Sequence, residues 1–192
     1  MLRTVALISL ASASTAALAQ PAITIEIDDP VLLPGESTTV RMFAGYGHGD
    51  YAVAAIVTDF VTSVGSDGWS DVRLLEPMDG PGTSPGDASA SGFDGILSGQ
   101  LNFPEPDLYA DPTNPIAFWQ ATYTAPIDIS APLDIDLSTV TSRYDVYIAS
   151  FSSRSESRLD ELVEGAGTIT VIPAPASAAV LVLGAACLRR RR

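Results

Sequence analysis

The chain has 192 residues, with 23 Asp and Glu against ten Arg, no Lys and a formal charge of −13. That balance repels phosphate backbones and so excludes nucleic acid as a partner, and the missing lysine excludes Schiff-base and P-loop lysine chemistry. A single cysteine, Cys187, leaves no intrachain disulfide and no thiolate metal site.

The first stretch, MLRTVALISLASASTAALAQ, places Arg3 ahead of an uncharged apolar run from Val5 to Leu18, with Ala17 and Ala19 in small-x-small spacing. This is the layout of a secretory signal peptide, residues 1–19, with cleavage expected after Ala19. Residues 20–172 then form the expected exported domain, long enough for one hydrophobic core. It holds all 23 acids but only Arg41, Arg73, Arg143, Arg154 and Arg158, a formal −18.

Period-two alternation dominates this domain. Ile23, Ile25 and Ile27 alternate with Thr24 and Glu26; after the turn LLPGES, Val40, Met42 and Ala44 alternate with Thr39, Arg41 and Phe43. Further strands are expected over 51–63, 72–75, 96–103, 116–124, 133–137, 144–151 and 167–172. In 51–63 the Val, Ile, Thr and Phe content outweighs the alanines and favours a long buried strand over a helix. Short strands separated by Gly, Pro, Asp and Ser predict an all-β fold, an antiparallel β-sandwich. The overall pattern resembles the Ig-like or cohesin-like domains that accompany many surface-sorting tails, which implies an Ig-like or cohesin-like β-sandwich. Residues 155–163, SESRLDELV, are the one expected helical stretch. Residues 76–95, EPMDGPGTSPGDASASGFDG, are too rich in breakers for an ordinary hairpin and are expected as a surface loop, locally mobile.

The chain ends in VIPAPASAAVLVLGAACLRRRR. A helix from Ala174 to Leu188 would be about 22 Å long against a hydrocarbon core of about 30 Å, short for a permanent span. Arg189, Arg190, Arg191 and Arg192 are costly in hydrocarbon, and the positive-inside bias holds them on the cytoplasmic face while the acidic domain lies outside. Pro173-Ala174-Pro175, a short apolar helix and a terminal Arg cluster, behind a signal peptide, resemble the PEP-CTERM sorting signal of bacterial envelopes. The alanine stands where the name-giving motif has glutamate. The resemblance covers residues 173–192. It implies a precursor held transiently in the inner membrane, an exosortase-like processing enzyme as partner, and a destination at the cell surface or in extracellular matrix, often beside exopolysaccharide.

Four chemistries remain to be weighed within the domain. Asp67, Asp71, Asp79 and Asp87 supply hard oxygens suited to a weak calcium site, though without EF-hand spacing. Trp69, between Gly68 and nearby aspartates, is the candidate exposed ring for carbohydrate contact, with core packing the favoured alternative. Gly82-Thr83-Ser84-Pro85-Gly86 matches a nucleophile-elbow pattern, but the only histidine, His48, precedes the serine and no strand-turn-helix surrounds it. A carboxylate pair for glycoside hydrolysis has no sequence signal of its own. The reading is a non-enzymatic structural or adhesive envelope protein without a cofactor; the alternative is a carbohydrate- or calcium-binding surface module, and a glycoside hydrolase ranks third.

Overall fold

A computed structural model describes residues 20–103 and 109–173. Eleven strands follow one another among these described residues: β1 (Ala22–Ile27), β2 (Val31–Leu32), β3 (Ser37–Gly45), β4 (Ala52–Thr62), β5 (Trp69–Leu74), β6 (Asp87–Ser89), β7 (Gly92–Gly99), β8 (Ile116–Thr124), β9 (Leu133–Tyr147), β10 (Ser155–Ser157) and β11 (Ala166–Val171). They form two sheets, one ordered β1-β3-β8-β5 and the other β2-β11-β9-β4-β7-β6, with β10 on the far part of β9. All pairings between strands are antiparallel except β2 with β11.

The alternation read from the sequence decides which faces meet. Thr38, Val40, Met42 and Ala44 of β3 point inward, as do Ile56 and Phe60 of β4, Ile135 and Leu137 of β9, and Ile169 and Val171 of β11. Between the sheets lies an aromatic cluster: Phe60 lies 4.8 Å from Trp119 and 5.2 Å from Trp69, while Trp69 lies 5.1 Å from Tyr123. Such pairs add about 0.5–1.5 kcal/mol each beyond area burial. In β8 a bulge lets Phe118 and Trp119, neighbours in sequence, both be buried, because the register with β3 shifts between Met42 and Phe43.

Three expectations are corrected. The strands expected over 133–137 and 144–151 are one 15-residue strand, β9. Its polar middle, STVTSR, stays extended because it pairs with β4 and because Glu164 accepts the Thr139 hydroxyl (2.6 Å), the Thr141 amide (2.7 Å) and the Thr141 hydroxyl (2.9 Å). The expected helix over 155–163 is a strand, β10, followed by a single 3-10 turn, Leu159–Glu161; SESRLDELV has too few apolar positions to give a helix a buried stripe. Residues 76–95 are not a loose loop. Met78 is 0% exposed, Ser84 exchanges backbone hydrogen bonds with Leu97, and the Trp119 indole donates to the Pro85 carbonyl at 3.0 Å.

Ala22 bridges Val163 in parallel, and Val31 and Leu32 lie beside Thr170 and Val171, also in parallel. The first and last strands therefore run in the same direction, and the chain enters the sandwich at one end and leaves at the other. No helix among the described residues is long and apolar enough to cross a membrane.

Candidate functional site

Where β7 ends at Gly99 the alternation continues for one more turn of the pleat. Gln100 and Asn102 face inward and are buried, while Leu101 and Phe103 face outward, 54% and 44% exposed. Both inward amides use both of their ends. Gln100 donates through Nε2 to the carbonyls of Val53 (2.7 Å) and Asp111 (3.3 Å), and its Oε1 accepts the Asp111 amide at 2.8 Å. Asn102 donates through Nδ2 to the Ser152 carbonyl at 2.7 Å and accepts the Ala110 amide at 3.0 Å. Irregular backbone that no sheet ladder satisfies is thus paired by side chains.

Tyrosines complete this hub. Tyr147 donates to the Gln100 carbonyl (2.9 Å), Tyr46 to the Pro112 carbonyl (2.6 Å) and Tyr51 to the Ala110 carbonyl (3.1 Å). Burial raises the phenols of Tyr147 and Tyr46 above their ordinary range, Tyr46 further through Tyr51, Asp111 and Asp50, so both remain neutral donors. Arg158 grips Asp50 with two hydrogen bonds, 2.8 and 3.2 Å, and those bonds hold its guanidinium above the usual arginine value.

The rigid hub supports an open groove of about 490 Å³ lined by Glu76, Pro77, Leu101, Phe103, Tyr109 and Asp111. Tyr109 is 47% exposed. Asp111 is oriented by the Thr113 amide and hydroxyl, which donate to its Oδ1 at 2.8 and 2.6 Å. Gln100 and Leu101 also border a second hollow of about 250 Å³, so the two adjoin. Small residues, Ala54, Ala55, Gly80 and Gly99, line that second hollow, with Arg143 also on its wall. A Cβ on Gly80 would stand 2.8 Å from the Gly99 carbonyl oxygen, so only glycine allows the close approach.

The residues singled out from the sequence do not line this groove. Trp69 packs edge-on against Phe60 in the core, and its indole nitrogen is buried without a partner. The flanking Gly and Asp suggested exposure, but β5 turns the ring inward. Asp67 lies in the turn before β5; Asp71 lies within β5 with φ 51°, at a bulge where the register shifts between Ser70 and Arg73. Asp79 bridges Gly99, and Asp87 pairs with Asp94 across the hairpin of β6 and β7. No three His, Cys, Asp or Glu side chains among the described residues come close enough to share a metal. Asp71 sits where a bulge interrupts an edge strand. Ser84 is part of a backbone pairing with Leu97 and its Oγ accepts the Gly86 amide, so no nucleophile elbow forms. Ala17, Ala19, Ala174, Pro175 and Arg189–Arg192 lie outside the described residues; Pro173 is the last within them.

No protein-family model matches the chain, and no curated protein sequence does. Among solved structures, the chain is similar to a type I cohesin–dockerin complex from Clostridium thermocellum, with 14% identity and a TM-score of 0.45 over 80% of this chain and 99% of that one. It is also similar to a cohesin from Acetivibrio cellulolyticus in complex with a dockerin, at 10% identity and a TM-score of 0.42 over 80% and 99%. A third is a type III cohesin module from a cell-surface anchoring scaffoldin of Ruminococcus flavefaciens, at 10% identity and a TM-score of 0.39 over 83% and 91%.

Proposed function

We propose that the chain is an exported protein of the cell envelope or extracellular matrix, in which a non-enzymatic β-sandwich has a structural or adhesive role and residues 173–192 act as a PEP-CTERM-like sorting signal. The observation that carries this reading is the position of the last described strand relative to the Pro-Ala-Pro motif. β11 ends at Val171, the Ile172 amide still bonds the Leu32 carbonyl at 2.8 Å, and Pro173 follows at once. In this reading the sorting segment follows directly on the last described strand, and its removal spares all eleven described strands. The acidic domain carries no lysine or cysteine, so it depends on no disulfide in any compartment. In this reading the inner membrane holds the precursor briefly, the arginines set its orientation, an exosortase-like enzyme cuts near Pro173-Ala174-Pro175, and exopolysaccharide is a neighbour at the destination.

Cell fractionation with intact-mass analysis tests it. Replacing Arg189 to Arg192 with serine is expected to weaken membrane retention, and deleting residues 173–192 to release a folded domain. A wild-type surface species that still carries Arg192 would show a permanent anchor, and equal retention after the deletion would refute the sorting role.

A further inference from the structure

We infer that the groove beside the Gln100–Asn102 hub binds a linear polysaccharide that carries hydroxyl or amino groups and no acidic ones. This deepens the proposed adhesive role by naming what the surface holds. Two aromatic rings, Phe103 and Tyr109, stand about half exposed at one groove. Pyranose rings present C–H faces that pack on such rings, and their hydroxyls need fixed acceptors. Glu76 and Asp111 supply carboxylates in the same groove, and Asp111 is already oriented by Thr113.

The shape favours a chain over a single sugar. The aromatic groove and the glycine- and alanine-lined hollow share Gln100 and Leu101, so a ligand laid across Leu101 continues from one into the other. The floor is preorganised, because both amides beneath it are saturated with backbone partners and have no freedom to rearrange. Electrostatics select the class: Arg143 in the adjoining hollow is already paired with Asp145 at 2.6 Å, and two carboxylates in the groove, on a domain of formal charge −18, repel uronic-acid or sulfated polymers and tolerate neutral or amine-bearing ones.

The test is calorimetric titration of the purified full chain with cellohexaose, laminarihexaose, a chitosan hexamer and an alginate hexamer as probes. At least one of the first three is expected to bind and alginate is not. Phe103→Ala with Tyr109→Ala is expected to weaken binding at least about tenfold, since stacking on each ring is lost, and Glu76→Gln is expected to weaken the chitosan oligomer more than the neutral ones. Ile127→Ala, which trims an exposed apolar side chain just after β8 and away from the groove lining, is the control and leaves affinity unchanged. All the altered side chains are solvent-exposed, and a circular dichroism melt verifies that each variant is folded. No binding to any of the three non-acidic probes, binding indifferent to the double alanine variant, or alginate binding as tightly as the rest would each overturn the inference. Because binding is read on purified protein and sorting in cells, failure of one reading is distinguishable from failure of the other.

Discussion

Residues 76–95 and the paired segments 100–103 and 109–115 are both irregular, both carry Gly or Pro, and both contribute walls to one groove, yet different physics holds each in place. The first is fixed by apolar plugs and close backbone approach: Met78 and Phe93 enter the core, and at Gly92 and Gly86 positive φ and contacts with strand backbone leave no room for a Cβ. The second is fixed by buried polar side chains, Gln100, Asn102, Tyr147 and Tyr46, each bonded to main chain. Breakers in a sequence thus say that the chain turns. They do not say whether it is loose, and they do not say whether oil or hydrogen bonds will hold it.

Substitutions that attack one mechanism and spare the other sharpen the contrast. The largest effect is expected for Gly92→Ala, whose φ of 136° is strained for alanine and whose Cβ would run into the Phe60 carbonyl oxygen. A loss of about 3 kcal/mol or more should appear as a lower denaturant midpoint. Met78→Ala should cost about 3 kcal/mol and open residues 76–95 to limited proteolysis, while Asn102→Ala should cost about 2 kcal/mol and open the segment near Ser152 instead. If Asn102→Ala exposes 76–95 to the protease, the two regions form one cooperative unit and the contrast fails.

The polar region also predicts a pH response. Burial raises Tyr144 well above its ordinary value, and raises Tyr46, Tyr123 and Tyr147 in the same direction. These phenols stay protonated in the fold, whereas in the unfolded chain they ionise near pH 10, so their contribution is complete below that pH and is lost as pH rises beyond it. Urea titrations between pH 8 and 11 should show stability falling above about pH 10, by up to about 1.4 kcal/mol per pH unit from Tyr144, and Tyr144→Phe should flatten the decline. The smallest effect is expected for Asp50→Asn: its pair with Arg158 is buried on the Asp50 side but a quarter exposed on the arginine side, so about 1 kcal/mol should be lost, read from the thermal midpoint.

Alternation made much of the sandwich legible before any coordinates. β8 falls on residues 116–124 as expected and β4 lies within 51–63, where β-branched and aromatic residues outweigh the alanines. The continuity of β9 was hidden because the partners of its polar middle, Glu164 and β4, are distant in sequence and leave no local mark. Trp69 was legible only as a choice between core and surface for a related reason: Gly68 and its acidic neighbours describe the turn, while the orientation of the ring is decided by pairing with Tyr123 on β8. The hub was invisible altogether, since Asn102 reaches carbonyls 47 to 50 residues away. Its one available signal was the Gln100-x-Asn102 spacing at the end of a strand, which puts two amides on the inward face.

The parallel course of the first and last strands bears on what happens when the two ends are pulled apart. Tension along the chain would load β1 along its own axis against β3, and β11 along its axis against β9 and β2. Hydrogen bonds such as Thr170 to Pro30 and Ile172 to Leu32, both 2.8 Å, would then share the load in shear and yield together, where strands pulled from the same end would peel one bond at a time. Force applied between the two ends of the described sandwich would therefore meet strands in shear rather than in peeling.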